Sequence, residues 1–183
     1  MTAVLFDFSG TLFRVQSTEA WLRAALDDAG LELAAPALAE TAGALERAGA
    51  LPGGAPPLRV PEELAEVWET RDESSALHRT AYTGLSRQVS LPDPGLHDAL
   101  YERHLSPGAW SPYPDAAEVL AALRGRGVAC AALGVEPGRT LMVGDDRRAD
   151  GGATALGCGV HFVEHLPVAE RPDGLRPVLG LVR

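Results

Sequence analysis

The sequence contains no lysine, since all 16 basic residues of the 183-residue chain are arginine. This absence excludes a Schiff-base lysine, the lysine of a phosphate-binding loop, a lysine-dependent receiver-type phosphorylation site and a lysine-rich membrane patch. The chain has 25 acidic residues, a formal net charge of −9 and a pI of about 5.0. A surface for nucleic acid needs clustered positive charge, so we expect neither nucleic acid nor a membrane as a partner.

Cysteines and long apolar runs are also scarce. The two cysteines, Cys130 and Cys158, stand in no spacing typical of a metal or redox site, and we expect both to be small core residues. No apolar run approaches the roughly 18 residues of a membrane span. The first residues lack the basic, apolar and small-residue order of a signal peptide. These features predict a cytoplasmic protein in a reducing compartment.

Strand patterns stand near both ends of the chain. Residues 3–8 (AVLFDF) form a continuous apolar run closed by a polar turn, which predicts a buried parallel strand with a loop at its carboxyl end. Residues 140–143 predict a second strand that ends at Gly144, and residues 159–163 predict a third. Helices are predicted at 114–127 and, from small residues, at 149–156. These elements indicate an α/β domain.

The middle of the chain has a different pattern. Residues 15–107 consist almost entirely of helical and turn signals, with helices predicted from Ser17 or Thr18 to Gly30, over 36–47, from Pro61 through Leu77, and over 93–105. We therefore predict a helical domain at 15–107, inserted into an α/β domain made of 1–14 and 108–183.

Acidic residues follow two of the predicted strands. Asp7 comes at the end of the first, and Asp145 follows the second, with Asp146 and Asp150 shortly after. In an open parallel sheet, functional groups gather at the carboxyl ends of the strands. Carboxylates that converge there repel each other unless a cation lies between them, and Mg²⁺ prefers oxygen ligands. Magnesium in turn suits phosphate chemistry, in which an aspartate can attack the phosphoryl group.

These segments resemble known motifs. VLFDFSGTL (4–12) resembles the first motif of the haloacid dehalogenase-like (HAD) hydrolases, and GDDRRADGGATALG (144–157) resembles their fourth. PDAAEVLAALRGRGV (114–128) is similar to the helix and strand start that lead into their second motif, and the helical insertion matches their cap domain. Over nearly the whole chain, the resemblance implies an α/β fold with a Rossmann-like parallel sheet core and an inserted helical cap.

The resemblance also implies roles for individual residues. Asp7 would be the nucleophile that forms a covalent aspartyl intermediate. Magnesium would be held by Asp7, the backbone carbonyl of Ser9 and Asp145, with Asp150 supporting the metal or a bound water. The implied substrate is a small phosphorylated or otherwise activated molecule.

Four further positions follow from the first and fourth motifs. Gly10 and Thr11 would contact substrate, whereas the role of Asp146 stays open. Ser9 occupies the second catalytic position, where the phosphatase branch has an aspartate that acts as general acid and base. Proton donation to the leaving group, worth roughly 10²–10⁴-fold in general acid catalysis, is therefore missing. This favours branches without that aspartate, such as dehalogenases or phosphonatases.

The chain departs from the family between residues 128 and 133. The family has here a strand ending in a phosphate-binding Ser or Thr, then a βα unit that leads to a cationic residue, and at least one such unit of about 30 residues is missing. Arg139, Arg147 and Arg148 could supply the charge, but their spacing does not place them at the site. We therefore expect a truncated core, incomplete or rearranged around residues 128–134.

Three functional hypotheses stay open at this point. The chain is an active HAD-like hydrolase that uses Asp7 and magnesium, or it is an inactive remnant that keeps the fold. Displacement of halide from a haloacid is a third hypothesis, against which the retained Asp145 and Asp150 count, because that reaction needs no metal.

Overall fold

The computed structural model describes residues 1–130 and 136–182. The chain forms two compact units: Met1–Val15 together with Ser111–Arg183, called the core unit below, and Gln16–Trp110, called the helical unit. Part of the predicted rearrangement around residues 128–134 falls on 131–135, which lie outside the described residues.

A four-stranded parallel sheet organises the core unit. Its strands are β1 (Ala3–Phe6), β4 (Ala129–Cys130), β5 (Thr140–Gly144) and β6 (Gly159–Phe162), in the order β4-β1-β5-β6. Strand β5 lies between β1 and β6, and its apolar residues are covered as expected for an interior parallel strand. The predicted α/β class with a Rossmann-like parallel sheet is confirmed.

Helix α6 (Ala116–Gly125) covers this sheet. Ala116, Val119 and Leu123 recur at helical spacing and are buried, so one face of the helix packs into the core. The short helix α7 (Val178–Leu181) contributes further apolar side chains to the same cluster. The core comprises Val4, Ala116, Val119, Leu123, Leu141, Val143, Val163, Leu175, Val178 and Val182.

Two predicted elements of the core unit differ in the structure. The first strand ends at Phe6 instead of residue 8, because the chain turns back and the N–H groups of Leu12 and Phe13 donate to the Phe8 carbonyl. The predicted helix at 149–156 is a 3₁₀ helix, Asp150–Leu156. Consecutive glycines at 151 and 152 weaken an α-helix through their high backbone entropy, which accounts for the difference.

The helical unit contains five α-helices and short 3₁₀ turns. The helices are α1 (Thr18–Asp28), α2 (Ala35–Ala48), α3 (Ala65–Glu69), α4 (Ser75–Ser86) and α5 (Leu96–Glu102). Trp21 of α1 is fully buried in this unit, where its indole N–H donates to the Leu100 carbonyl at 2.9 Å.

The single helix predicted from Pro61 through Leu77 is wrong. The segment divides into α3, two 3₁₀ turns and the start of α4. Ser74 has an extended backbone, and its hydroxyl accepts from the Leu77 N–H at 3.2 Å, which makes it the N-cap of a new helix.

The remaining strands, β2 (Phe13–Val15) and β3 (Trp110–Pro112), pair as a separate two-stranded sheet. No helix in residues 1–130 and 136–182 is long and apolar enough to cross a membrane.

Candidate active site

Parallel pairing of β1 with β5 brings the two predicted acidic residues together. Phe6 lies opposite Val143, and the Asp7 N–H continues the ladder by donating to the Val143 carbonyl at 2.9 Å. Asp7 and Asp145 therefore leave adjacent strands at the same edge of the sheet. Their carboxyl groups lie near enough to influence each other, and this adds to the other effects that raise the pKa of Asp7 and lower that of Asp145.

The shared negative charge has a direct electrostatic consequence. Burial, followed by the charges of Asp150 and Asp145, raises the pKa of Asp7 from 3.8 to about 6, against a lowering effect of the Phe8 N–H. Burial also raises the pKa of Asp150. At Asp145 burial acts in the same direction, but hydrogen bonds and positive charge from its partners outweigh it, so the pKa is lowered. Asp7 thus holds a proton more readily than Asp145 does.

Asp145 has two side-chain partners besides Asp7. The Thr11 hydroxyl donates to Asp145 Oδ1 at 3.2 Å, and the ring of His165 contacts Asp145 Oδ2 through Nδ1. The other ring nitrogen of His165 contacts Arg14 Nη1. Both carboxylate oxygens of Asp145 are therefore engaged by neighbouring side chains.

His165 and Arg14 are functional candidates that lie outside the motifs at residues 4–12 and 144–157. A signal for His165 exists in the sequence, because it follows the third predicted strand, 159–163, by two residues. The carboxyl end of β6 lies at the same edge as those of β1 and β5. Side chains that follow parallel strands gather at this edge, and His165 is one of them.

Gly10 permits this close approach. Its φ of +82° lies in the left-handed region, and a Cβ atom at this position would lie 2.2 Å from Asp145 Oδ2 and 2.3 Å from His165 Nδ1. The loop therefore requires glycine for both backbone conformation and space. The substrate contacts predicted for Gly10 and Thr11 stay predictions, and the fully buried Thr11 side chain is directed to Asp145.

The two acidic residues after Asp145 organise the turn that follows β5. Asp150 is 8% exposed, and its Oδ2 accepts from the Asp146 N–H at 2.9 Å. Asp146 is exposed and its Oδ1 accepts from the N–H groups of Arg148 and Ala149 at 2.7 and 3.1 Å. These bonds close a turn, and the functional role of Asp146 stays open. Ser9 lies half-buried in the loop after Asp7 and forms an isolated β-bridge with Phe13.

A buried cation lies beside the same loop. Arg171 is 4% exposed and donates to the backbone carbonyls of Gly10 and Thr11. Sequence reasoning considered other arginines and missed this one, because Arg171 belongs to none of the motifs. Arg147, one of those considered, stands over the ring of Phe162 at 4.8 Å.

The carboxylate pair is a suitable donor set for magnesium. Mg²⁺ is usually bound by one or two carboxylates together with water and phosphate oxygens. Asp7 and Asp145 supply two neighbouring carboxylates, and the charges of Asp150 and Asp145, which add to the effect of burial on the pKa of Asp7, are charges that a cation would offset. Within the part of the chain that the structure describes, no group of three or more His, Cys, Asp or Glu side chains is arranged to hold a metal ion.

Known structures share this architecture, although no protein-family model and no curated protein matches the sequence. A HAD-hydrolase from Bacillus subtilis, YfnB, solved bound to magnesium, superposes with a TM-score of 0.52 and 14% identity, over 88% of this chain and 86% of that chain. The L-2-haloacid dehalogenase of Xanthobacter autotrophicus, with chloropropionic acid covalently bound, gives a TM-score of 0.52 and 16% identity, over 97% of this chain and 83% of its own.

This chain has the HAD-like fold. The resemblance predicted from residues 4–12 and 144–157 is thereby confirmed at the level of the fold. In the HAD-like core unit, Asp7 and Asp145 occupy the ends of neighbouring strands, as the motifs predict.

Substitution of Gly10 tests the tight packing of the loop. Gly10→Ala is expected to destabilise the protein more than Gly127→Ala, a matched control with φ +71° and open space around the added methyl group. Both variants pay the conformational cost of a positive φ, about 1 kcal/mol, but only Gly10→Ala displaces Asp145 and His165. Urea unfolding and the His165 ring signals in NMR spectra measure the difference, and equal losses with an unchanged His165 would contradict the packing.

The raised pKa of Asp7 predicts a pH-dependent stability. Because folded Asp7 binds its proton more tightly than unfolded Asp7, its stabilising contribution is complete below pH 3.8 and is lost as the pH rises through about 6. Asp7→Asn should therefore exceed the wild type in stability at about pH 8, by about 1 kcal/mol after solvent screening. The gain should vanish near about pH 4.

Urea unfolding in EDTA at the two pH values provides the measurement. Asp173→Asn is the control, since it makes the same change in net charge at an exposed position of the core unit. A gain that is equal in both variants, or independent of pH, would show that Asp7 is not the group responsible.

Proposed function

We propose that this chain is a HAD-like hydrolase that attacks a small phosphorylated molecule through Asp7, with Mg²⁺ as cofactor. The observation that carries the proposal is the placement of Asp7 and Asp145 at the ends of two paired strands, at the carboxyl edge of the parallel sheet. Partial burial together with neighbouring carboxylates raises the pKa of Asp7, and perturbed pKa values of this kind are typical of functional sites.

Asp7 is the group that would form the covalent intermediate. Its deprotonated oxygen attacks phosphorus and forms a new P–O bond, while the bond to the ester oxygen breaks and the leaving alkoxide takes a proton from water. Water then attacks the aspartyl phosphate, releases inorganic phosphate and restores Asp7. Since only the carboxylate form is a nucleophile, a pKa of about 6 keeps Asp7 competent at neutral pH.

The remaining residues hold and orient this group. Asp7, Asp145 and the Ser9 carbonyl would hold Mg²⁺, which shields phosphoryl charge when bound. Thr11 orients Asp145 through its hydroxyl, and Asp150 fixes the turn behind Asp145 through the Asp146 N–H. By the resemblance to the HAD-like hydrolases, the substrate would be a small molecule rather than a polymer.

Halide displacement is the second candidate. One solved structure with this fold is a dehalogenase with chloropropionic acid covalently bound. Attack by Asp7 would serve either reaction in this chain. Ser9 favours this candidate, because a halide leaves without a proton and needs no carboxylic acid at that position. The cluster of Asp145 and Asp150 beside Asp7 favours the phosphate reaction, in which a cation is required.

An activity assay separates the candidates. Hydrolysis of p-nitrophenyl phosphate is expected to require Mg²⁺, to stop in EDTA, and to fall by roughly 10³-fold or more in Asp7→Asn, because the nucleophile is lost. Asp173→Asn serves as the control with the same charge change and should retain the wild-type rate. Chloride release from 2-chloropropionate that is insensitive to EDTA would support the dehalogenase instead. Folded protein without either activity would support the inactive remnant.

Ser9 provides a second test of the phosphatase mechanism. Ser9→Asp restores a carboxylic acid near the leaving group, so we expect kcat to rise by about 10-fold or more for phenyl phosphate, a poor leaving group. For p-nitrophenyl phosphate, whose leaving group needs little protonation, the gain should be small. Ser9→Ala controls for loss of the hydroxyl. An equal gain on both esters, or none, would contradict the role assigned to this position.

A further inference from the structure

Arg171 is a buried arginine with several directed hydrogen bonds. It follows the 3₁₀ helix Val168–Glu170 and is 4% exposed. Its Nη1 donates to the carbonyl of Gly10 at 2.6 Å and to that of Glu164 at 3.0 Å, and its Nη2 donates to the Thr11 carbonyl. One guanidinium thus ties the loop after β1 to the chain that follows β6.

The guanidinium is also held by an aromatic ring. Its central carbon lies 3.2 Å from the ring centroid of Tyr113, which is 1% exposed. The Tyr113 hydroxyl donates to the Leu166 carbonyl at 2.6 Å and so fixes the ring. A planar cation on an aromatic face with its N–H groups directed at carbonyls is a rigid arrangement that the flexible ammonium of lysine cannot reproduce.

Among residues 1–130 and 136–182, no carboxylate lies within ion-pair distance of Arg171, so its charge is not neutralised by a direct ion pair. Its buried Nε atom has no hydrogen-bond partner. Burial lowers its pKa, whereas the nearby Tyr113, Asp115 and Asp145 act in the opposite direction. Its nearest charged neighbours therefore include the acidic group of the candidate site, and interactions through a buried region are weakly screened.

A chain of contacts connects Arg171 to the site. The carbonyl of Thr11 is bonded to Arg171, and the hydroxyl of the same residue donates to Asp145 Oδ1. The carbonyl of Gly10 is bonded to Arg171, and the Cα of Gly10 packs against the Asp145 carboxylate. If this loop is displaced, Gly10 and Thr11 move relative to Asp145, and the backbone that follows Asp7 moves with them.

We propose that Arg171 is a positioning residue for the reaction at Asp7: it fixes the Gly10–Thr11 backbone, holds Thr11 against Asp145, and places a buried positive charge beside this loop. The proposal rests on the hydrolase function proposed above. Arg171 is too deeply buried to contact substrate and acts through the loop and its charge.

Three variants test the proposal. Arg171→Met removes the charge and the hydrogen bonds at similar length, and Arg171→Lys restores the charge without the fork. Arg176→Met is the matched control, because Arg176 lies in the same unit with an exposed side chain that pairs with Glu118 at 3.1 Å. Each protein is examined by urea unfolding, by the NMR signals of Gly10, Thr11 and the Asp145 carboxyl carbon, and by kcat and KM for p-nitrophenyl phosphate.

The expected result is specific to positioning. For Arg171→Met, under conditions where the variant is folded, kcat should fall by about 10²-fold with KM changed less than threefold, since misplacement of about 1 Å at a reacting group has an effect of that size. Arg171→Lys should recover part of kcat, the Gly10, Thr11 and Asp145 signals should shift in both variants, and Arg176→Met should match the wild type.

One further outcome would overturn the inference about Arg171, and another would overturn the proposed hydrolase function. If folded Arg171→Met keeps the wild-type kcat and the wild-type Asp145 signal, Arg171 is only a structural residue and the inference fails. If the wild type turns over no substrate but Arg171→Met still shifts the Thr11 and Asp145 signals, the proposed function fails and the link from Arg171 to the site stands.

Discussion

The parallel pairing of β1 with β5 is the interaction on which the candidate site depends. Its register places Phe6 opposite Val143, so the residues that follow, Asp7 and Asp145, emerge together at one edge of the sheet. Two carboxyl groups near each other and partly buried cannot both ionise freely, which raises the pKa of Asp7. Bringing the two carboxyl groups together is electrostatically unfavourable, and contacts with the surrounding side chains offset this effect.

The compensation comes from three directions within the core unit. Thr11 donates a hydrogen bond to Asp145 from the first loop, His165 contacts the same carboxylate from the loop after β6, and Arg171 donates to the Gly10 and Thr11 carbonyls of that first loop. Glycine at position 10 lets these groups approach, since any side chain there would occupy the place of an Asp145 oxygen. The loop between Asp7 and Leu12 therefore packs against the Asp145 carboxylate and connects it to residues that are distant in the sequence.

Secondary structure was predictable where local patterns are strong. The apolar runs that became β1, β5 and β6 are continuous, so they were recognised as buried parallel strands, and small apolar residues at helical spacing identified α6. The helix drawn from Pro61 was wrong because apolar spacing continued across Ser74, whose capping bond begins a new helix. Asp7 and Asp145 were found since each lies directly after a strand, within a short motif.

The amino-acid sequence by itself determined the parallel α/β architecture, the acidic residues at two strand ends and the absence of any lysine to balance them. Only the tertiary structure decided which basic side chains approach those acids and the loop beside them. His165 reaches Asp145 across 20 residues, and Arg171 reaches Thr11 across 160. Contacts of that range leave no periodic trace in a sequence, because they depend on where the turns and strands place each side chain. The hydrophobic pattern of the sequence determines the sheet, whereas tertiary packing determines which polar and charged groups surround the carboxylates at its edge.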